Sequence, residues 1–221
     1  STPAYYSVKL ERYDINAEMT ATSRTALFRF TFNQAGTGYI AVNANSDEGL
    51  GRISVDPTNR IIEGSNPVHR IYQGLGDYAG FDGHFVVEVK DKTITEAKTF
   101  ENGAGYFKLD VEAGETVLVR VATSFTSIDK AKLNLLTECP DWDFDKMRKN
   151  LENIWEKTLS VIEVESDIKD DLINFYTSLY HASFLPREFN DVDGSYPSFA
   201  GGNSTKHTDR TYYEDYSMWD T

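Results

Sequence analysis

TITEAKTFENGAGYFKLDV, residues 93–111, is the stretch that decides the fold. Two runs rich in β-branched and aromatic residues flank ENGAG, and the Asn102–Gly103 pair between them is a strong hairpin signal. The run that follows, TVLVRVATSF (116–125), has the same character. So do YYSVKL (5–10), INAEMTAT (15–22), TALFRFTF (25–32), GYIAVNA (38–44), GRISVD (51–56), RIIEGS (60–65) and HFVVEVK (84–90) upstream. Turn chemistry punctuates them: NSDEGLG, DPTN, YAGFDG and EAGE. About ten short strands in roughly 120 residues predict an antiparallel β-sandwich.

Beyond residue 125 the period changes. Asp141 and Asp143 are N-cap candidates for a helix over FDKMRKNLENIWEKTLSVI. Phe144, Met147, Leu151, Ile154, Trp155 and Leu159 recur at steps of three and four, which places them on one face. A second helix, DIKDDLINFYTSLYHASFL, begins near Asp167 and ends before Pro186. Ile168, Leu172, Phe175, Tyr176, Leu179 and Tyr180 line one side of it. A turn-rich loop, NDVDGSYPSFAGGNST, then leads to YYEDYSMWDT (212–221). Two helices cannot bury both their faces alone, so they must cover the sandwich or further helices.

The chain has 221 residues and a formal net charge of −13. That acidity opposes phosphate backbones and argues against nucleic acid as a partner. No apolar run approaches the length of a membrane span. The single cysteine, Cys139, has no internal disulfide partner and reads as a small buried hydrophobe. Ser1 opens almost at once on a strand pattern, and the last residues are chemically dense. Both ends are expected to continue in a longer polypeptide.

Few motifs rise above this background. DVDG (191–194) has its glycine fourth, whereas a calcium-binding EF-hand loop needs glycine sixth and glutamate twelfth; position twelve here is Gly202. It therefore reads as a turn. NST (203–205) is a glycosylation sequon on a solvated loop. None of His69, His84, His181 and His207 has metal-ligand spacing to another histidine, and His181 reads as a helix-packing residue. The closing segment places Asp209, Glu214, Asp215 and Asp220 among Tyr212, Tyr213, Tyr216 and Trp219. Carboxylates accept hydrogen bonds from sugar hydroxyls, and aromatic faces cover the apolar face of a pyranose. The same residues also make an ordinary amphipathic helix start, and on chemistry alone that plainer reading outweighs the first.

YYSVKLERYDINAEMTATSRTALFRFTF resembles the N-terminal sandwich of glycoside hydrolase family 92, the calcium-dependent exo-α-mannosidases. SFTSIDKAKLNL with PDWDFDKMRKNLENIWEKTLSVIEVE, FYTSLYHASFLPREFNDVDGSY and TYYEDYSMWDT extend the resemblance over nearly the whole chain. It implies a fold that is mainly β with C-terminal helices. An antiparallel sandwich at 1–127, its front strands missing before Ser1, precedes linker helices at 128–164 and the first part of an (α/α)6 barrel at 165–221.

The resemblance also implies inverting, calcium-dependent removal of terminal α-mannose from glycans, at a site between sandwich and barrel. Trp219 and Asp220 would bind the sugar. The catalytic acid and base and most calcium ligands would lie beyond Thr221, on the remainder of the same polypeptide, so this portion alone is expected to be inactive. His181, Arg187 and Asp191 sit in family-like text, with packing and ligand roles both open. The localisation implied is the bacterial periplasm or cell exterior. Two alternatives stand beside this. A glycoside phosphorylase of similar architecture would need a cationic phosphate pocket, where only Lys206 and Arg210 lie near the acidic tail. A non-catalytic carbohydrate-binding module would need an exposed aromatic platform.

Overall fold

The computed structural model describes residues 1–44, 50–69, 77–198 and 204–214. Ten strands come first: β1 (Tyr6–Leu10), β2 (Ile15–Ala21), β3 (Thr25–Phe32), β4 (Gly36–Asn43), β5 (Arg52–Asp56), β6 (Ile61–His69), β7 (Tyr78–Val89), β8 (Glu96–Phe100), β9 (Ala104–Val111) and β10 (Glu115–Ser124). Three helices follow, α1 (Ile128–Glu138), α2 (Phe144–Leu159) and α3 (Lys169–Ala182). Four short strands complete the described elements: β11 (Arg187–Glu188), β12 (Ser195–Pro197), β13 (Thr205–His207) and β14 (Tyr213–Glu214).

The opening hairpin forms as β8 and β9, with Phe100 opposite Ala104 and a three-residue connection. The Gly103 amide bonds the Phe100 carbonyl, and Gly103 sits at φ +73, a conformation that disfavours any side chain. A Cβ there would also meet the Gly51 carbonyl oxygen at 2.5 Å.

β4, β9 and β8 make a three-stranded antiparallel sheet, and a seven-stranded sheet runs β1-β2-β3-β10-β7-β6-β5. Their facing sides form the sandwich core, with Phe32, Ile62, Val87, Val89, Val117 and Val119 against Ile40, Phe107, Leu109 and Val111. Full burial of a side chain such as Phe107 is worth about 1.5–3 kcal/mol.

The larger sheet is covered on its other face too. Leu27, Val86 and Ala122 meet Ala131, Leu135 and Cys139 of α1 and its C-cap, and Phe144 and Met147 of α2. Burial on both faces is why TVLVRVA is nearly continuous in apolar residues instead of alternating. Arg120, on the helix side of β10, pairs with Glu88, donates to the Cys139 carbonyl at 2.6 Å and lies over Trp142. Its charge sits where the α1 dipole is negative. Cys139 is buried as expected, and burial pushes its thiol pKa up.

Three elements differ from the sequence expectation. YAGFDG reads as a turn in the sequence but is the first half of the twelve-residue β7. Gly80 at φ +97 and a register irregularity between Pro67 and His69 of β6 let the strand bend there without ending. Helix α1 is not apparent from residue periodicity, because its buried side chains are only Ala131, Leu135 and a polar one, Asn134. The turn-rich loop contains β12 and β13. By contrast α2 begins where the sequence places it: Asp143 is the N-cap, accepting the Lys146 amide at 2.9 Å, while Asp141 accepts the Asp143 amide and pairs with Lys146. Helix α3 buries no side chain, and Trp155 of α2 meets it edge-on at Tyr180.

Candidate functional site

The seam between the sandwich and the segment after α3 is built on polar side chains with few alternatives. β10 ends at Ser124, whose hydroxyl donates to Asp191 Oδ2 at 2.9 Å. Asn134 of α1 donates from Nδ2 to Asp191 Oδ1 at 2.7 Å and to the Thr123 carbonyl at 2.8 Å, and its Oδ1 accepts the Val192 amide at 3.0 Å. Asp191 and Asn134 are both buried, so each bond is shielded from water. DVDG is a turn, as its glycine position implied: the Gly194 amide bonds the Asp191 carbonyl, and Gly194 takes φ +85. Asp193 pairs with Lys130 of α1. β12 and β13 then form a hairpin, closed by the Thr208 amide on the Gly194 carbonyl.

Arg24, in the turn between β2 and β3, ties the same segment down from the other side. Its Nη1 pairs with Glu138 at 2.7 Å, its Nε donates to the Asn190 carbonyl at 2.6 Å and its Nη2 reaches Glu188 at 3.2 Å. Asn190 Oδ1 accepts the Tyr212 amide at 2.7 Å, next to the β11–β14 pairing of Glu188 with Tyr213. One guanidinium thus joins the sandwich, the end of α1 and the strand pair from which the chain runs on toward its end. Apolar contact follows the same line: Phe81 and Phe125 of the sandwich meet Phe189, Phe189 meets Tyr212, and Tyr212 stacks on Tyr196 at 4.2 Å.

A cleft of about 210 Å³ opens between β7, the end of β10 and the β12–β13 hairpin. Tyr78, Asp82, His84, Phe125 and Thr126 line the sandwich side, and Pro197 and Ser198 face them. The Tyr78 hydroxyl donates to Asp82 at 2.9 Å, and burial together with that carboxylate pushes its pKa up to about 12. Burial lowers the His84 pKa against the opposing pull of Asp82 and Asp191. A neutral imidazole, a carboxylate already accepting from a phenol, and aromatic walls are groups that bind hydroxyl-rich ligands. Neither Asp191 nor Asp193 is placed for acid–base work, since Asp191 has both oxygens engaged and Asp193 holds Lys130.

The sequence candidates divide. Trp219 and Asp220, the expected sugar-binding pair, lie outside the described residues, as does Asn203 of the sequon. Asp191 has the packing role just described. His181 is exposed on α3 in ring contact with Tyr180 and Phe184, and Arg187 is in β11 opposite Glu214. The cleft residues Tyr78, Asp82 and His84, and the ties Arg24 and Asn134, carried no motif. For α1 and Asn134 the available signal was Ser127, an N-cap accepting the Lys130 amide.

Family comparison agrees with this two-part arrangement. Residues 1–124 match the glycosyl hydrolase family 92 N-terminal domain, and residues 130–221 match the family's catalytic domain. The chain belongs to glycosyl hydrolase family 92. Among solved structures, this family 92 chain superimposes on a family 92 inverting mannosidase of Bacteroides thetaiotaomicron with a TM-score of 0.86 and 27% identity, over 99% of this chain and 31% of that one. An uncharacterized secreted glycosidase of Arthroderma benhamiae is 26% identical, over 85% of this chain and 28% of the relative. A protein provisionally described as a kojibiose phosphorylase, from the human microbiome, shares the fold at a TM-score of 0.58 and 11% identity, over 84% of this chain and 27% of that one. The family 92 chain thus spans less than a third of the length of each of them.

Proposed function

We propose that residues 1–221 are the sandwich and the entry to the helical (α/α)6 barrel of an exo-acting α-mannosidase, which removes terminal α-linked mannose from glycans with inversion. The observation that carries this is the likeness to the inverting mannosidase, which runs through the sandwich and the helices in one superposition. The sandwich side supplies the cleft of Tyr78, Asp82 and His84. Trp219 shapes the mannose pocket and Asp220 accepts hydrogen bonds from its hydroxyls. Inversion needs an acid and a base about 6.5–9.5 Å apart with a water between them. In this reading both come from the remainder of the polypeptide, and residues 1–221 alone are inactive.

Calcium is the cofactor this reading implies, and the described residues do not fit it. Among them no three His, Cys, Asp or Glu side chains converge, and the acids of DVDG are engaged within the protein. In this reading its ligands come mostly from the remainder of the polypeptide. The relative described as secreted supports export of the full-length protein, and no described helix is long and apolar enough to cross a membrane.

The test is mannose release from α-1,2-mannobiose by the full-length polypeptide, with NMR of the first-formed anomer, with and without a calcium chelator. Release of β-mannose, lost on chelation, is the expected result. Turnover only in the presence of inorganic phosphate would replace this reading with phosphorolysis. Mannoside binding without turnover would make the protein a binding module.

A further inference from the structure

The outward face of the three-stranded sheet carries rings that the sandwich core does not use. Ile40, Val42, Ala97, Phe107 and Leu109 pack into the core. Alternation along β4, β8 and β9 therefore turns Tyr39, Phe100 and Tyr106 the other way. Tyr106 is on the central strand of this sheet. Tyr39 meets it edge-on at 5.5 Å from β4, and Phe100 lies 6.0 Å away on β8. Tyr39 is 56% exposed and Phe100 45%. The rings form a band across three strands, with its outer strands about 9.5 Å apart.

Polar groups are set among the rings. The Tyr106 hydroxyl donates to one oxygen of Glu96, and Lys108 Nζ is 3.6 Å from the other. Lys98 Nζ lies 5.0 Å over the Phe100 ring. Asp110 is exposed on the same face of β9. Glu96 and Asp110 balance Lys98 and Lys108, so this face is electrically neutral on a chain of net charge −13. Its charge suits an uncharged ligand. The outward positions of these strands hold no Leu, Ile, Val or Met. The core of a protein–protein contact is depleted of Lys, Glu and Asp, whereas here those residues stand between the rings. Ring faces cover the apolar side of a pyranose, and carboxylate, ammonium and phenol groups bond its hydroxyls. The face offers both, in one place, to a neutral glycan.

We propose that this sheet face is a glycan-binding surface, which holds a neutral glycan chain against Tyr39, Tyr106 and Phe100. The seven-stranded sheet separates it from α1 and α2, and it shares no residue with the cleft of Tyr78, Asp82 and His84. The choice of an α-mannan as the glycan rests on the function proposed above.

The test is affinity electrophoresis of the full-length polypeptide through gels containing polymeric α-mannan, beside turnover of α-1,2-mannobiose. Tyr39→Ala/Phe100→Ala should bind the polymer about 10-fold more weakly, having lost two ring contacts, with mannobiose turnover unchanged. Tyr39→Trp, which keeps a ring face, should bind like the wild type. Equal retardation of wild type and double variant, or no retardation of either, would overturn the proposal. Weakened binding by Tyr39→Trp as well would overturn it, because Tyr39 would then serve the sheet and not a ligand. A dimer in size exclusion that the double variant dissociates would also overturn it, and would assign the face to a second copy. Binding of α-mannan through these rings without any release of mannose would uphold this proposal and remove the mannosidase reading.

Discussion

Asp191 joins three parts of the chain that are far apart in sequence, and its loss is felt at each. Alanine there leaves the Ser124 hydroxyl and one Asn134 N–H buried without an acceptor. Each such group costs about 1–3 kcal/mol. Asp193, by contrast, holds Lys130 at a half-exposed position, where an ion pair is worth about 0–1 kcal/mol. We therefore expect the thermal stability of the full-length polypeptide to fall clearly more for Asp191→Ala than for Asp193→Ala. Equal losses would remove Asp191 from its role in the seam.

His84 gives the seam a pH dependence whose sign follows from burial. Its folded pKa lies below the ordinary histidine value of 6.5, so as pH drops through that value the unfolded chain takes up a proton that the native state resists. Its contribution favours unfolding increasingly below about pH 6.5. His84→Gln should flatten the decline of melting temperature between about pH 7.5 and 5. An unchanged slope would show that His84 protonates equally in both states.

Among the elements, the β12–β13 hairpin rests on one glycine. A Cβ on Gly194 would lie 2.0 Å from the Thr208 carbonyl oxygen, and the residue is at φ +85. Gly114, at φ +80, has open space where a methyl group would stand and serves as the control. Gly114→Ala should cost only backbone strain, about 1 kcal/mol. Gly194→Ala should displace the hairpin, read as loss of amide protection over residues 195–198 and 205–207. Equal behaviour of the two variants would mean that the hairpin yields without cost. The same elements show where pattern reading works. α2 is legible because an aspartate cap and apolar steps of three and four are local signals. α1 is not, since two of its three buried side chains are an alanine and an asparagine whose value lies in distant partners. β7 looks broken in the sequence because its bend uses glycine, the residue that turns also use.

In the whole molecule, the sandwich, α1 and the segment from Phe189 to Tyr212 follow one another in chain order, and they meet at the seam through Arg24, Asn134 and Phe189. On the proposed mannosidase reading, Asp220→Ala in the full-length polypeptide should lower kcat/KM on a mannoside roughly 10- to 150-fold, since a hydrogen bond to a charged acceptor is worth about 1.5–3 kcal/mol. Unchanged kcat/KM would exclude Asp220 from the pocket.

Alternation, turn residues and helical period are properties of neighbours along the chain. They were enough for an antiparallel sandwich followed by helices, for Asp143 as a cap and for the burial of Cys139. The cleft that sets Tyr78, Asp82 and His84 against Pro197 and Ser198, the Arg24 tie and the Asp191 seam were beyond them. Each joins residues separated by tens to more than a hundred positions, as from Arg24 to Asn190, and no local pattern records which distant backbone group a buried side chain will meet.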